Sequence, residues 1–381
     1  MERLSLVHRH LTSNEAKQEK KELSDQLLTE WRGACLKIIL NRPKMYNAVG
    51  DILQRGLLNA VEEANRSARV YILKSTLAGK VFCAGADLKE VIKMYMHDLA
   101  EEGYVQFYKV MYTIARAKPT TIAFWDGIVM GGGVGISIHA NIKIATENTV
   151  FAMPEAKLGY FTNVGGSYFL PRIKKNIGLF LALTAYSLKG KEACQVGVAD
   201  YFVKSKDLLA LEADIERLAQ IPTVSEGLIR EIIEKYAENV PRVYKEEDLI
   251  AELFNGETLF EVLEKLKKKS EENEIVRKWY KDIMQCSPIS HFYNFGLFKR
   301  GKRLSLHEAL SMEAYLAARV NQTDLFEGIR AVIIEKGAKH DWSVTFEDLK
   351  MQKESDYFPE KIKLIDYDGY QLRASFYDLE K

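Results

Sequence analysis

Residues 129–166 read VMGGGVGISIHANIKIATENTVFAMPEAKLGYFTNVGG. Gly131, Gly132 and Gly133 open an apolar, helix-like run, and a β-rich passage follows. Without a Cβ in the way, glycine amides can approach a ligand closely, and a helix start adds partial positive charge. Such a place suits an oxyanion. The competing reading is that the glycines only let a helix pack tightly on a sheet. The stretch then offers one carboxylate, Glu155, behind Pro154 in the apolar setting FAMP. Desolvation there would raise its pKa toward values useful to a base or nucleophile; the ordinary alternative is a surface or helix-capping glutamate. Asn163, in TNVGG, is a candidate hydrogen-bonding contact for substrate or a turn residue before Gly165 and Gly166.

Working outward, strands and helices alternate. Residues 34–40 (ACLKIIL) and 70–74 (VYILK) read as strands, and 52–64 between them carry apolar residues at helical spacing. Residues 94–117 form one long amphipathic segment, ended by Lys118 and Pro119; 119–125 and 142–146 are further strands. This order signals an α/β domain with parallel pairing. Ligands in such sheets sit where strands end, so the loop Ala84-Gly85-Ala86-Asp87, which follows a buried strand, is expected to face the same cleft as the glycine triplet. If the amides of Ala86 and Gly132 converge they make a two-donor oxyanion hole, and losing one donor would raise the barrier by on the order of 3 kcal/mol. Beyond residue 180 the periodicity is almost wholly helical, apart from a short strand at 201–204, and residues 16–31 are charged and helix-permissive.

At 381 residues the chain accommodates one large domain with an appendage, or two domains. With 54 basic and 53 acidic residues the net charge is +1, which gives no global pull toward nucleic acid. Cys35, Cys83, Cys194 and Cys286 are scattered, without a C-x-x-C pair or a nearby histidine, so neither a disulfide framework nor a zinc site is expected, and no other metal site is. No apolar run is long enough to span a membrane, and residues 1–15 are a weak version of an organelle transit pattern. There is no G-x-S-x-G elbow, P-loop or dinucleotide fingerprint, and His139 reads as a packed core residue.

NRPK-x-x-NA (41–48), FCAGADLKE (82–90), GGGVG (131–135) and MPEAKLGYFTNVGGSYFLPR (153–172) together resemble the enoyl-CoA hydratase/isomerase, or crotonase, superfamily. More narrowly, the chain resembles its 3-hydroxyisobutyryl-CoA hydrolases, the thioesterases of valine breakdown. LFLALTAYSLKGKEA (179–193), CSPIS (286–290) and DLFEGIRAVIIEKGAKHDW (324–342) extend the likeness over roughly 36–358. The resemblance implies an α/β, crotonase-like spiral of ββα turns with a helical C-terminal region closing over the acyl-CoA. The chain then divides into an N-terminal extension (1–33), a core (34–204), a helical C-terminal region (205–358) and a tail (359–381). It further implies a hydrolase of the mitochondrial matrix with no cofactor beyond the coenzyme A of its substrate, and leaves a homo-oligomer open. The amides of Ala86 and Gly132 would polarise the thioester carbonyl, Glu155 would attack it or activate water, and Gly131, Asp87 and Gly135 would border the substrate. Hydratases of the superfamily carry a second glutamate where this chain has Gly135, which disfavours hydration.

One departure matters. These hydrolases usually have Pro-Asp where this chain has Thr162-Asn163, and that Asp is thought to hold the substrate hydroxyl and assist catalysis. Asparagine still hydrogen-bonds but is neutral and cannot act as a base, so activity would be reduced, redirected or lost. The usual CAGGD reads CAGAD here, which keeps the backbone amide. The departure admits a second class, because relatives of this hydrolase have been recruited into the mitochondrial small ribosomal subunit. The features to watch are the charged N-terminal extension, the clusters Lys267-Lys268-Lys269 and Lys299-Arg300 with Lys302-Arg303, and the tail. Their competing explanation is solvated helix surface or flexible terminus. The near-neutral charge would make such docking chiefly a matter of ribosomal-protein neighbours, with limited rRNA contact.

Overall fold

CLKIIL is buried at every position, as a strand is when both faces of its sheet are covered. This strand, β2 (Cys35–Leu40), pairs antiparallel with β1 (Leu27–Arg32) and parallel with β3 (Val70–Ser75). A computed structural model describes residues 25–320, 322–353 and 356–370. From β3 the chain alternates between two sheets. β4 (Lys80–Cys83) leaves for a second sheet, β5 (Thr120–Trp125) returns to the first, β6 (Gly127–Met130) goes to the second, and β7 (Ile142–Ala145) and β8 (Val150–Ala152) repeat the exchange. With β9 (Leu188–Lys189), β10 (Tyr201–Val203) and β11 (Ala237–Glu238) the sheet orders are β1-β2-β3-β5-β7-β10-β11 and β4-β6-β8-β9. Each winding lays one strand in each sheet, the expected spiral of ββα turns.

Helix α1 (Asp51–Ser67) is the crossover between β2 and β3, its buried face carrying Leu53, Leu57, Leu58, Val61 and Ala64. The long segment expected over 94–117 is two helices, α2 (Leu88–Met96) and α3 (Ala100–Ala115), with Asp98 in the left-handed region at φ 55. A Cβ on Gly103 would lie 2.1 Å from the Met94 sulfur, so the glycine lets the two helices close on each other. The helix-like run after the glycines is a single turn, α4 (Gly132–Gly135). The helix-permissive reading of 16–31 is corrected in its second part: the residues of β1 are strand, because their partner β2 supplies a full antiparallel register. The extension expected over 1–33 therefore hands its last residues to the sheet, and residues 1–24 lie outside the described residues.

The C-terminal part is helical apart from β11, which adds to the sheet edge beside β10. Two of its helices, α5 (Pro288–Gly301) and α6 (Leu306–Ala317), hold the loop that carries Asn163. A third, α7 (Gln322–Ile329), packs on the segment carrying Glu155. Buried Lys37 binds Glu30, Glu212 and Glu216 at 2.8–3.2 Å, tying the helix at Leu208–Leu218 to the sheet. The described part of the tail is strapped down: Tyr367 is buried against Tyr112 and His307, and the Lys109 ammonium donates to the Tyr370 carbonyl at 2.5 Å.

All four cysteines are free and buried, as expected without a disulfide framework. Among the described residues no helix is long and apolar enough to cross a membrane, and no group of three His, Cys, Asp or Glu stands ready to hold a metal ion.

Candidate active site

The second sheet positions the chemistry. β4 and β6 run parallel, as do β6 and β8, so their C-terminal ends lie side by side. The Ala84–Asp87 loop follows β4, the glycine triplet follows β6, and Met153-Pro154-Glu155 follows β8. Carboxyl ends of parallel strands are where α/β sheets place ligands. Here a cleft partly open to solvent is lined by Ala86, Gly131, Gly132, Glu155 and Asn163. Five residues chosen from sequence therefore meet in one place.

The glycines act in different ways. A Cβ on Gly133 would stand 2.5 Å from the Cys83 carbonyl oxygen, so this residue serves close packing on β4. On Gly132 it would stand 3.0 Å from the Ala86 nitrogen, and one on Gly85 would stand 3.9 Å from the Gly132 nitrogen. The two loops thus converge backbone to backbone. Val49 donates to the Gly85 carbonyl at 2.8 Å and accepts from the Asp87 amide at 3.0 Å. In that parallel bridge the intervening Ala86 amide points the other way, toward the cleft. As the first residue of its helical turn, Gly132 has no carbonyl one turn back to receive its amide. Gly131, at φ 46, lies against the acid, where a Cβ would be 3.0 Å from Glu155 Oε1. Close packing is thus what Gly133 serves, while Gly132 faces the Ala86 loop.

Glu155 opens a short 3₁₀ turn, Glu155–Leu158, and is only 7% exposed. Its Oε2 is buried without a hydrogen-bond partner among the described residues. Burial pushes the carboxyl up to about 8, opposed by its own backbone amide and reinforced by the charge of Glu313. The effect that FAMP suggested is therefore present. Ser287 donates its amide to the Ala156 carbonyl at 3.2 Å, and Leu325 of α7 contributes to the cavity wall, so the C-terminal helices brace the acid and help enclose the cleft.

Asn163 borders the cleft on a loop pinned from the C-terminal side. Asn294 Oδ1 accepts from the Thr162 amide at 2.7 Å. Glu313, fully buried in α6, accepts from the amides of Gly165 and Ser167 at 2.8 Å and from Ser167 Oγ at 2.6 Å. Burial pushes this carboxyl up to about 7 against those bonds. Between the pins Val164 has φ 54, an outlier for a β-branched residue that costs on the order of 1–3 kcal/mol and persists where its surroundings fix it. The sequence reading did not single out Asn294 or Glu313. The available signal was polarity out of place, since Glu313 follows Ala309 and Leu310 and precedes Leu316 and Ala317 at helical spacing.

The other two expected substrate contacts, Gly135 and Asp87, are placed differently from each other. Gly135 does not border the cavity; it underlies Val164, and a Cβ there would be 2.7 Å from both the Val164 Cβ and the Met111 Cε. Asp87 borders the cavity, but its carboxylate is engaged elsewhere. It caps α2 through the amides of Lys89 and Glu90 and pairs with Arg42 at 2.7 Å. Its role in this geometry is to hold the Ala86 loop. Asn47, quoted above only as part of a motif, is fully buried and donates to Ser75 Oγ and the Phe82 carbonyl, fixing the 41–48 loop against β4. His139 is held down to about 4 by burial, as suits a core histidine.

The sequence model of the enoyl-CoA hydratase/isomerase family matches residues 35–358. The chain belongs to that family. Within the family it is similar to mitochondrial 3-hydroxyisobutyryl-CoA hydrolases: 36% identical over 353 residues to that of Xenopus laevis, covering 89% of each chain. The likeness is 35% over 351 residues for the Danio rerio protein, again 89% of each, and 31% over 347 residues for the Homo sapiens protein, 88% of each. Among solved structures, a carnitinyl-CoA dehydratase from Mycobacterium thermoresistibile superposes with a TM-score of 0.78 over 91% of this chain and all of its own, at 24% identity. An enoyl-CoA hydratase from Rhodobacter sphaeroides superposes with a TM-score of 0.77 over 88% of this chain and 97% of its own, at 25% identity. The family fold expected from sequence is thus the fold observed.

Proposed function

We propose that the protein hydrolyses the thioester of a short β-hydroxyacyl-CoA, with 3-hydroxyisobutyryl-CoA the first substrate to test. The observation that supports this most strongly is the delivery of two loop amides and one desolvated carboxylate to a single cleft by adjacent strand ends. Ala86 and Gly132 donate to the thioester oxygen, on which negative charge grows as the carbonyl carbon becomes tetrahedral. Glu155 either removes a proton from the attacking water or attacks the carbon itself, with water then cleaving the acyl-enzyme. Collapse of the tetrahedral species breaks the C–S bond; coenzyme A leaves as a thiolate that takes up a proton, and the free hydroxy acid remains.

Asn163 is a hydrogen-bonding partner for the substrate hydroxyl and supplies no charge. With Gly135 covered by Val164, that position has no room for a second acid, which favours hydrolysis over hydration. The names of the relatives support a mitochondrial location, and we place the activity in the matrix.

A ribosomal role draws no specific support from the described residues. Lys269 pairs with Glu272 and Lys299 with Glu257, while Arg300 and Lys302 stack over Phe358 and Phe298. Parts of the N-terminal extension and of the tail, residues 1–24 and 371–381, lie outside the described residues.

The test is thiol release from 3-hydroxyisobutyryl-CoA beside isobutyryl-CoA, with crotonyl-CoA hydration as the contrast. Saturable thiol release that prefers the hydroxy ester supports the proposal. Hydration without hydrolysis, or neither thiol release nor thermal stabilisation by the esters, overturns it.

A further inference from the structure

Glu313 is a buried acid outside the cleft that accepts three hydrogen bonds from one short loop, with Tyr108 of α3 beside it. Its two carboxylate oxygens receive the Gly165 amide, the Ser167 amide and the Ser167 hydroxyl. That loop makes an unusual turn, with Val164 at φ 54 and Gly165 at φ 85 in succession, closed by the Gly166 amide donating to the Asn163 carbonyl at 2.9 Å. A valine does not hold such a conformation unaided. Asn163, immediately before it, borders the cavity together with Val164 itself.

We propose that Glu313 is a positioning residue for Asn163: by gathering the donors on the far side of Val164 it holds the left-handed turn and keeps the Asn163 amide in the acyl-binding cleft. Asn294 holds the near side through the Thr162 amide, so the loop is clamped at both ends by helices of the C-terminal region. The catalytic consequence rests on the hydrolase reading above; the clamp does not. Glu313 touches neither substrate nor cleft, since it is fully buried and does not border the cavity. Its contacts reach the substrate side through the loop, beside the smaller effect of its charge on Glu155. The substitution Glu313→Gln replaces one acceptor oxygen with an NH₂ group facing donors, so it breaks the clamp at nearly constant volume.

Two measurements on the full chain test this. In hydrogen exchange, peptides covering 162–167 should exchange about tenfold faster or more in Glu313→Gln than in the parent, while β2 and β3 remain unchanged. Equal rates in the loop would overturn the clamp. Should Glu313→Gln fail to fold, Ser167→Ala removes one donor and should speed exchange in the same peptides; unchanged exchange there would be equally adverse.

In steady-state hydrolysis of the hydroxyacyl ester, Glu313→Gln should lower kcat by about tenfold or more with KM nearly constant, and in an Asn163→Ala background it should have almost no further effect. Multiplicative effects of the two substitutions would mean that Glu313 acts independently of Asn163, through its charge on Glu155 or through folding, and would overturn the positioning role. A parent without turnover would defeat the hydrolase reading, and the exchange result would still decide the clamp.

Discussion

The Cβ that Gly135 lacks would fall 2.7 Å from the Cβ of Val164, so in this backbone the two positions cannot both carry a side chain. Val164 is in turn fixed by the pinned loop around it. Substituting Gly135→Glu, which would supply an acid at the position hydratases use, should therefore displace the Asn163 loop. The expected result is a loss of about 1–3 kcal/mol or more in denaturant melts, the usual cost of overpacking, with no gain in crotonyl-CoA hydration. A stable variant that hydrates would show that the loop is free to move.

The raised carboxyl of Glu155 has a pH signature. If the ionised form does the chemistry, kcat rises with pH and levels above about 8. Stability moves in the opposite direction. The folded-state pKa lies above the ordinary 4.5, so the folded state binds the proton more tightly, and the associated stability is full below 4.5 and lost as pH rises toward about 8. Glu313 acts in the same sense, with its loss complete above about 7. In Glu155→Gln only the first contribution disappears. The melting temperature of that variant relative to parent should climb from mildly acidic pH to about 8, by the equivalent of a few kcal/mol at most.

Asn163→Asp places an ionisable group where the present residue only hydrogen-bonds. If Asn163 faces the substrate hydroxyl, the change should raise kcat on the hydroxy ester by about tenfold or more, within the range general acid–base assistance supplies, and do little on the unsubstituted ester. An equal change on both esters would remove the hydroxyl contact.

Legibility in the sequence followed the range of each interaction. Strands covered on both faces, such as CLKIIL and VYILK, show as continuous apolar runs, and the order of strands and helices carried the parallel topology. The second sheet was harder to see as a sheet because its strands are short, two to four residues each, and alternate with those of the first. Glu155 was legible because an apolar neighbourhood surrounds it in sequence as well as in space. The clamp was not, because Glu313 lies 146 residues from its partner Ser167 and looks locally like one more polar position on a helix. Gly135, which the family resemblance set beside the substrate, lies outside the cavity lining, its space taken by the side chains of Val164 and Met111.

Whether Glu155 acts on a thioester held by the amides of Ala86 and Gly132 is measured most directly by thiol release from Glu155→Gln beside the parent, with ester binding followed by thermal shift. The expected result is a fall in kcat of about a thousandfold. Both proteins should still gain roughly 2.7 kcal/mol of stability from ester at about 100 times its dissociation constant. A variant that releases thiol at the parental rate would contradict a role for Glu155.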